Sequence, residues 1–141
     1  MADRVWETAV HEAGHAIAGR ILGLRCGGAS VIEPGAHARV YVDDGAASVC
    51  VGMAGAVAET IMFGSFDAAA CGIDRGRWTR RLHRLGYSEG GGGAALWRHT
   101  VALLKPHRSA IVRLATELAC VGMLDGDEID DIVARHRWPS R

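Results

Sequence analysis

His11, Glu12 and His15 stand in the run His11-Glu12-Ala13-Gly14-His15, which matches the H-E-x-x-H pattern of zinc peptidases. Residues four apart on an α-helix share one face, so both imidazoles can reach one ion. Glu12 sits one step round the same turn, where its carboxylate can meet a water held by that ion. Zinc lowers the pKa of such a water from about 15.7 to about 7, and a neighbouring carboxylate can then take its proton. The competing reading of so short a pattern is a helix with two unrelated histidines.

Catalytic zinc usually has three protein ligands plus water, so a third ligand is needed. The chemistry of the chain offers Glu59, Asp74, Glu33, His37, Asp43 and Asp44. Glu59 is the interior charge of an otherwise apolar stretch. Asp74 follows the turn Cys71-Gly72-Ile73 at the start of a basic helix. These two rank equally on the residues alone. Asp74 could instead be a helix N-cap, and Glu59 a buried helix-pairing carboxylate.

The elements that must position these groups can be read from periodicity. Trp6, Val10, Ala13, Ile17 and Ile21 recur at helical spacing, which predicts a helix from about residue 4 to Leu22, stopped by Gly23. Gly14 costs a helix interior about 1 kcal/mol relative to alanine, so another backbone is expected to pass close to it. Residues 29–33 and 37–42 are short β-prone runs separated by Pro34-Gly35, a hairpin or edge strand beside the metal helix. Asp44 can cap a helix over 46–63 that ends at Gly64. That helix is apolar nearly all round and so should be buried, with a partner for Glu59.

A third helix is expected over 75–85, with Trp78, Leu82 and Leu85 inward. Its arginines, Arg75, Arg77, Arg80, Arg81 and Arg84, read as a solvated basic face. Residues 88–93 are a glycine-rich break, expected as a mobile loop, and they lack the pattern of a phosphate cradle. A helix over 94–104 precedes Pro106, which suits the first turn of a helix reaching about Val121, lined inside by Ile111, Ala115, Leu118 and Gly122. Asp125 followed by Glu128 signals a capped final helix, with Ile129, Ile132 and Val133 inward.

Composition bounds the rest. The 141 residues fit one domain, and sixteen basic residues balance sixteen acidic ones, which speaks against nucleic acid or an anionic membrane as partner. No apolar run reaches the roughly 18 residues of a bilayer span, and no signal-peptide core opens the chain, so it reads as soluble and cytoplasmic. Cys26, Cys50, Cys71 and Cys120 are scattered without a C-x-x-C pair and are expected as free, partly buried thiols.

The run His11-Glu12-Ala13-Gly14-His15-Ala16, then Met53-Ala54-Gly55-Ala56-Val57-Ala58-Glu59 with Gly64, then Gly72-Ile73-Asp74, resembles the peptidase domain of FtsH-type ATP-dependent zinc metalloproteases. That family pairs a HEAGH helix with a later GGRxAEE-like helix and an aspartate opening the next one. Leu85-Gly86-Tyr87-Ser88 is similar to its Y-G-M-S segment, and the likeness returns over residues 114–128, covering nearly the whole chain in the family's order.

The resemblance implies one FtsH-like peptidase domain over residues 1–141. The fold would be α+β and mainly helical, a zincin-like metallopeptidase with a small β-hairpin or edge sheet beside the HEAGH helix. By the same carry-over, His11, His15 and Asp74 bind one zinc per chain, Glu12 is the catalytic base, and Glu59 packs or supports a ligand. The run 37–42 would line the cleft, where an extended peptide adds as an edge strand. The sequence holds no ATPase motif and no membrane anchor. The activity expected is therefore zinc-dependent endopeptidase action on flexible or unfolded segments, or on proteins presented by a separate ATPase or adaptor. The alternative is a catalytically silent, zinc-stabilised interaction or regulatory module, for which an intact Glu12 would have no use.

Overall fold

The apolar stripe of the first helix folds as predicted. In the computed structural model, which describes residues 2–32, 35–43 and 45–136, α1 (Ala2–Ile21) carries Val10, Ala13 and Ile17 fully buried on one face. Gly23, at φ 74°, ends it. The chain then forms β1 (Cys26–Ser30) and β2 (His37–Val40), followed by α2 (Ala46–Phe63) and α3 (Gly72–Arg84). A π-helical turn over Glu89–Gly93 leads into α4 (Ala94–Leu104). A 3-10 turn holding Pro106 leads into α5 (Arg108–Val121), and β3 (Met123–Asp125) and α6 (Gly126–Ala134) close the described chain.

The result is mainly helical with one small sheet, an α+β arrangement. α1 is central: it packs on α2 and α5, and more lightly on α4, β1 and β2. Gly14 is the close approach between α1 and α2, because a Cβ there would lie 2.6 Å from Ala54 O and 2.5 Å from Ala58 Cβ. α2 is buried along most of its length, from Ser48 to Glu59. With 18 residues at a mean hydropathy of 1.6, it is long and apolar enough to cross a bilayer by length and composition, contrary to the sequence expectation, yet 61 % of it is buried against the other elements.

Several boundaries differ from expectation. β1 begins and ends earlier than 29–33, because Gly27 and Gly28 are weak strand formers that here admit a neighbour. Gly28, at φ 147°, sits at an irregularity in the β1–β2 pairing, and a Cβ on it would lie 2.9 Å from Leu124 O of β3. Val31 N then donates to Gly122 O and the chain leaves the sheet. β3 was not foreseen. It makes the sheet three-stranded and antiparallel in the order β2-β1-β3, so β2 is an edge.

Residues 88–93 form a helical turn and not a loop: Ser88 Oγ accepts from Gly91 N at 2.9 Å and starts it. Gly122 ends α5 at φ 85° instead of lining its inner face. The capping box of Asp125 and Glu128 at α6 is present as predicted. Glu33, Pro34 and Asp44 lie outside the described residues. α2 starts from Gly45, whose N donates to Asp43 Oδ1 at 2.9 Å.

Candidate metal centre

α1 delivers His11 and His15 to one cleft, and α3 brings Asp74 against both. His11 Nε2 lies 2.7 Å from Asp74 Oδ2, His15 Nε2 lies 3.0 Å from the same oxygen, and the two nitrogens are 3.1 Å apart. Asp74 is in the first turn of α3, which starts at Gly72 and not at residue 75, and Cys71 occupies the N-cap position without a side-chain cap. Asp74 is therefore not a cap. Its side chain points across the cleft.

The far edge of each imidazole is held by α2. His15 Nδ1 donates to Val51 O at 2.6 Å, and His11 Nδ1 donates to Glu59 Oε2 at 2.7 Å. A carbonyl or carboxylate oxygen can only accept, so both Nδ1 atoms carry protons and both Nε2 atoms are left to meet an ion. Gly55 of α2 keeps the space beside them clear: a Cβ there would lie 2.5 Å from His11 Nε2 and 2.6 Å from His15 Nε2.

Glu59 has the partner its burial demanded, and more than one. Its Oε2 also accepts from Cys71 Sγ at 3.2 Å, and its Oε1 accepts from Asp67 N at 3.4 Å. Cys71, fully buried and 3.6 Å from His11 Nδ1, is a site neighbour that sequence reasoning missed, having read it as a free thiol in a turn. It is indeed free, as are the other three cysteines, and of these only Cys120 is exposed. Its place three residues before Asp74 was the available signal.

Glu12 is buried, with Oε1 3.9 Å from His11 Nε2, and makes no hydrogen bond among the described residues. Burial pushes its carboxyl pKa up, only partly offset by the two histidines. Around His11, burial opposes charging, but hydrogen bonds to Asp74, Cys71 and Glu59 outweigh it and push the pKa up to about 12 without metal. Burial likewise opposes ionisation of Asp74, yet the two imidazoles hold its carboxyl well below the usual carboxylate range.

The remaining candidates are elsewhere. His37 lines the cleft from β2, but it is exposed and its Nδ1 donates to Gly35 O at 2.7 Å. Asp43 is taken by the Gly45 amide. The basic helix divides. Arg75, Arg77, Arg80 and Arg84 are exposed as expected and Arg81 is half-buried, and of the five Arg77 and Arg81 line the cleft.

The donor set fits a metal ion. Ligand atoms about 2.0–2.1 Å from a tetrahedral ion are spaced about 3.3 Å apart, and the triangle of 2.7, 3.0 and 3.1 Å is a slightly contracted version of that. Donor atoms of His11, Glu12 and His15 all lie within 4.8 Å of one another, as do those of His11, Glu59 and Cys71. The first group faces an open cleft of about 630 Å³. The second lies behind His11, where its hydrogen bonds already account for it. No protein-family model and no curated protein matches the chain, so a functional reading rests on this chemistry.

Proposed function

We propose that this protein is a zinc-dependent endopeptidase with a zincin-like site of the FtsH type, in which His11, His15 and Asp74 hold the metal and Glu12 is the base. The observation that carries the reading is the convergence of three donor atoms with Glu12 beside them in a cleft edged by β2. Zinc, when bound, supplies a Lewis acid that makes a water acidic and polarises a carbonyl. The nitrogen and carboxylate donors suit that ion, and Glu59 and Val51 O fix the two rings for it.

Glu12 takes the water's proton on a carboxylate whose basicity burial has raised, and hands it to the leaving amine. β2 pairs with β1 on one side only, so its other side can add an extended peptide as a further strand across the cleft. Such a site selects flexible or unfolded segments, delivered directly or by a separate ATPase or adaptor. A structural zinc site is closed by four protein ligands, whereas three converge here and Asp74 keeps 23 % of its side chain exposed. That favours catalysis over a silent zinc-stabilised module.

Zinc-loaded wild type and Glu12→Gln, digesting one library of flexible peptides, test the proposal. The variant keeps the metal and loses activity by about 100-fold or more. Equal digestion by the two proteins would rule out Glu12 as the base and return the site to a binding role.

A further inference from the structure

Arg77 and Arg81 follow Asp74 at three and seven residues along α3, positions that share one helix face. Both line the cleft, and neither pairs with an acid among the described residues. Arg81 is half-buried, and its Nη1 donates to Ser48 O at 3.3 Å, a neutral carbonyl that steadies the guanidinium without cancelling its charge. Arg77 is exposed, and its side chain makes no hydrogen bond among the described residues.

Most acids of the same cleft are held at the histidines or by backbone amides. Asp74 bridges the two histidines, and Glu59 holds His11. Asp67 Oδ1 accepts from Ala69 N and Ala70 N at 3.0 and 3.1 Å. Glu12 sits beside the ligand histidines. Glu7, on α1 three residues from Arg4, also lines the cleft, and no ion pair joins it to Arg77 or Arg81 among the described residues. Two guanidiniums one turn apart in a partly enclosed space offer forked donors that match a carboxylate, and none of the cleft's own carboxylates forms an ion pair with either of them among the described residues.

We propose that Arg77 and Arg81 recognise a carboxylate of the bound peptide, so that the cleft prefers peptides carrying an acidic side chain or a free C-terminus. This rests on the peptidase reading above and names its substrate class. The two carboxylate sources share one chemistry and separate by experiment.

Binding of three labelled peptides of otherwise one sequence is measured by fluorescence anisotropy with zinc-loaded Glu12→Gln. One carries an internal Glu and an amidated C-terminus, one an internal Gln and an amidated C-terminus, and one an internal Gln and a free C-terminus. The expected result is that at least one carboxylate peptide binds about tenfold more tightly than the Gln amide, as a charged hydrogen bond would give. That ratio should collapse to about twofold or less when Arg77→Gln is added, and fall to about one or below with Arg77→Glu, changes at an exposed position that leave packing intact. Arg81→Lys, which keeps the charge but not the fork, should give an intermediate ratio.

Equal binding of all three peptides, or no binding, overturns the inference, as does a preference that survives Arg77→Gln. Cleavage by the wild type is scored on the same peptides. Failure to cleave any of them counts against the peptidase reading alone, whereas cleavage without a carboxylate preference counts against the arginine wall alone.

Discussion

Glu59 Oε2 lies 2.7 Å from His11 Nδ1, on the edge of the ring opposite the one that meets Asp74. One imidazole therefore stands between two carboxylates with different tasks. Asp74 shares its oxygen with His15 and faces the cleft, whereas Glu59 is buried and also accepts from Cys71 and the Asp67 amide. On the proposed reading, the first contacts the ion and the second supports the ring.

That division gives opposite outcomes for two conservative changes. Asp74→Asn should weaken zinc affinity at least about tenfold with the fold intact, given that even supporting residues of metal sites cost about 10–100-fold. Glu59→Gln should chiefly lower stability, by about 1–3 kcal/mol, as buried donors lose their charged acceptor. Competition with a chelator and urea unfolding measure the two quantities. Zinc bonded to Glu59 in a crystal structure, with Asp74 well outside bonding distance, would reverse the assignment.

Gly55 should be intolerant of even a methyl group. Alanine normally favours a helix interior by about 1 kcal/mol over glycine, but here its Cβ would meet His11 Nε2 at 2.5 Å and His15 Nε2 at 2.6 Å. Gly55→Ala should therefore fall far below the about one equivalent of zinc expected for wild type, as His11→Ala should. Metal analysis of the purified proteins checks this, and full occupancy in either variant would put the site elsewhere.

The metal-free centre carries a defined pH dependence. The pKa of His11 is raised, so its contribution to stability is complete below its ordinary value of 6.5 and is lost as pH rises toward about 12. Asp74 is depressed, so its contribution is present above its ordinary value of 3.8 and is lost as pH falls below that. Unfolding of metal-free protein should show a plateau between those two values, declining on either side. Zinc must displace the His11 proton, so its affinity should rise about tenfold per pH unit from about pH 6 to pH 8. A pH-independent affinity measured by titration would mean that no proton is displaced.

The outward arginines should be energetically quiet. Arg75 and Arg84 are exposed, and reversing both charges should change stability by no more than about 0.5 kcal/mol in a thermal melt. Salt-sensitive, tight binding of DNA or RNA by the wild type would contradict the solvated reading of this face.

The sequence by itself determined the face of α1. Spacing of four puts His11 and His15 together, the apolar residues fix which side is buried, and Gly14 announces a close neighbour, which Ala54 and Ala58 prove to be. It also determined that Glu59 needs a partner and that Asp125 and Glu128 cap a helix. These are local facts, encoded in periods of three and four residues.

What it left open depends on residues far apart in the chain. Glu59 and Asp74 lie 48 and 63 positions from His11, and only the packing of α2 and α3 against α1 decides which edge of the ring each one meets. The division of the arginines, the place of Cys71 and the three-residue strand β3 follow from the same packing. A short strand and a turn of helix have no periodicity of their own to read, so the tertiary contacts alone make them what they are.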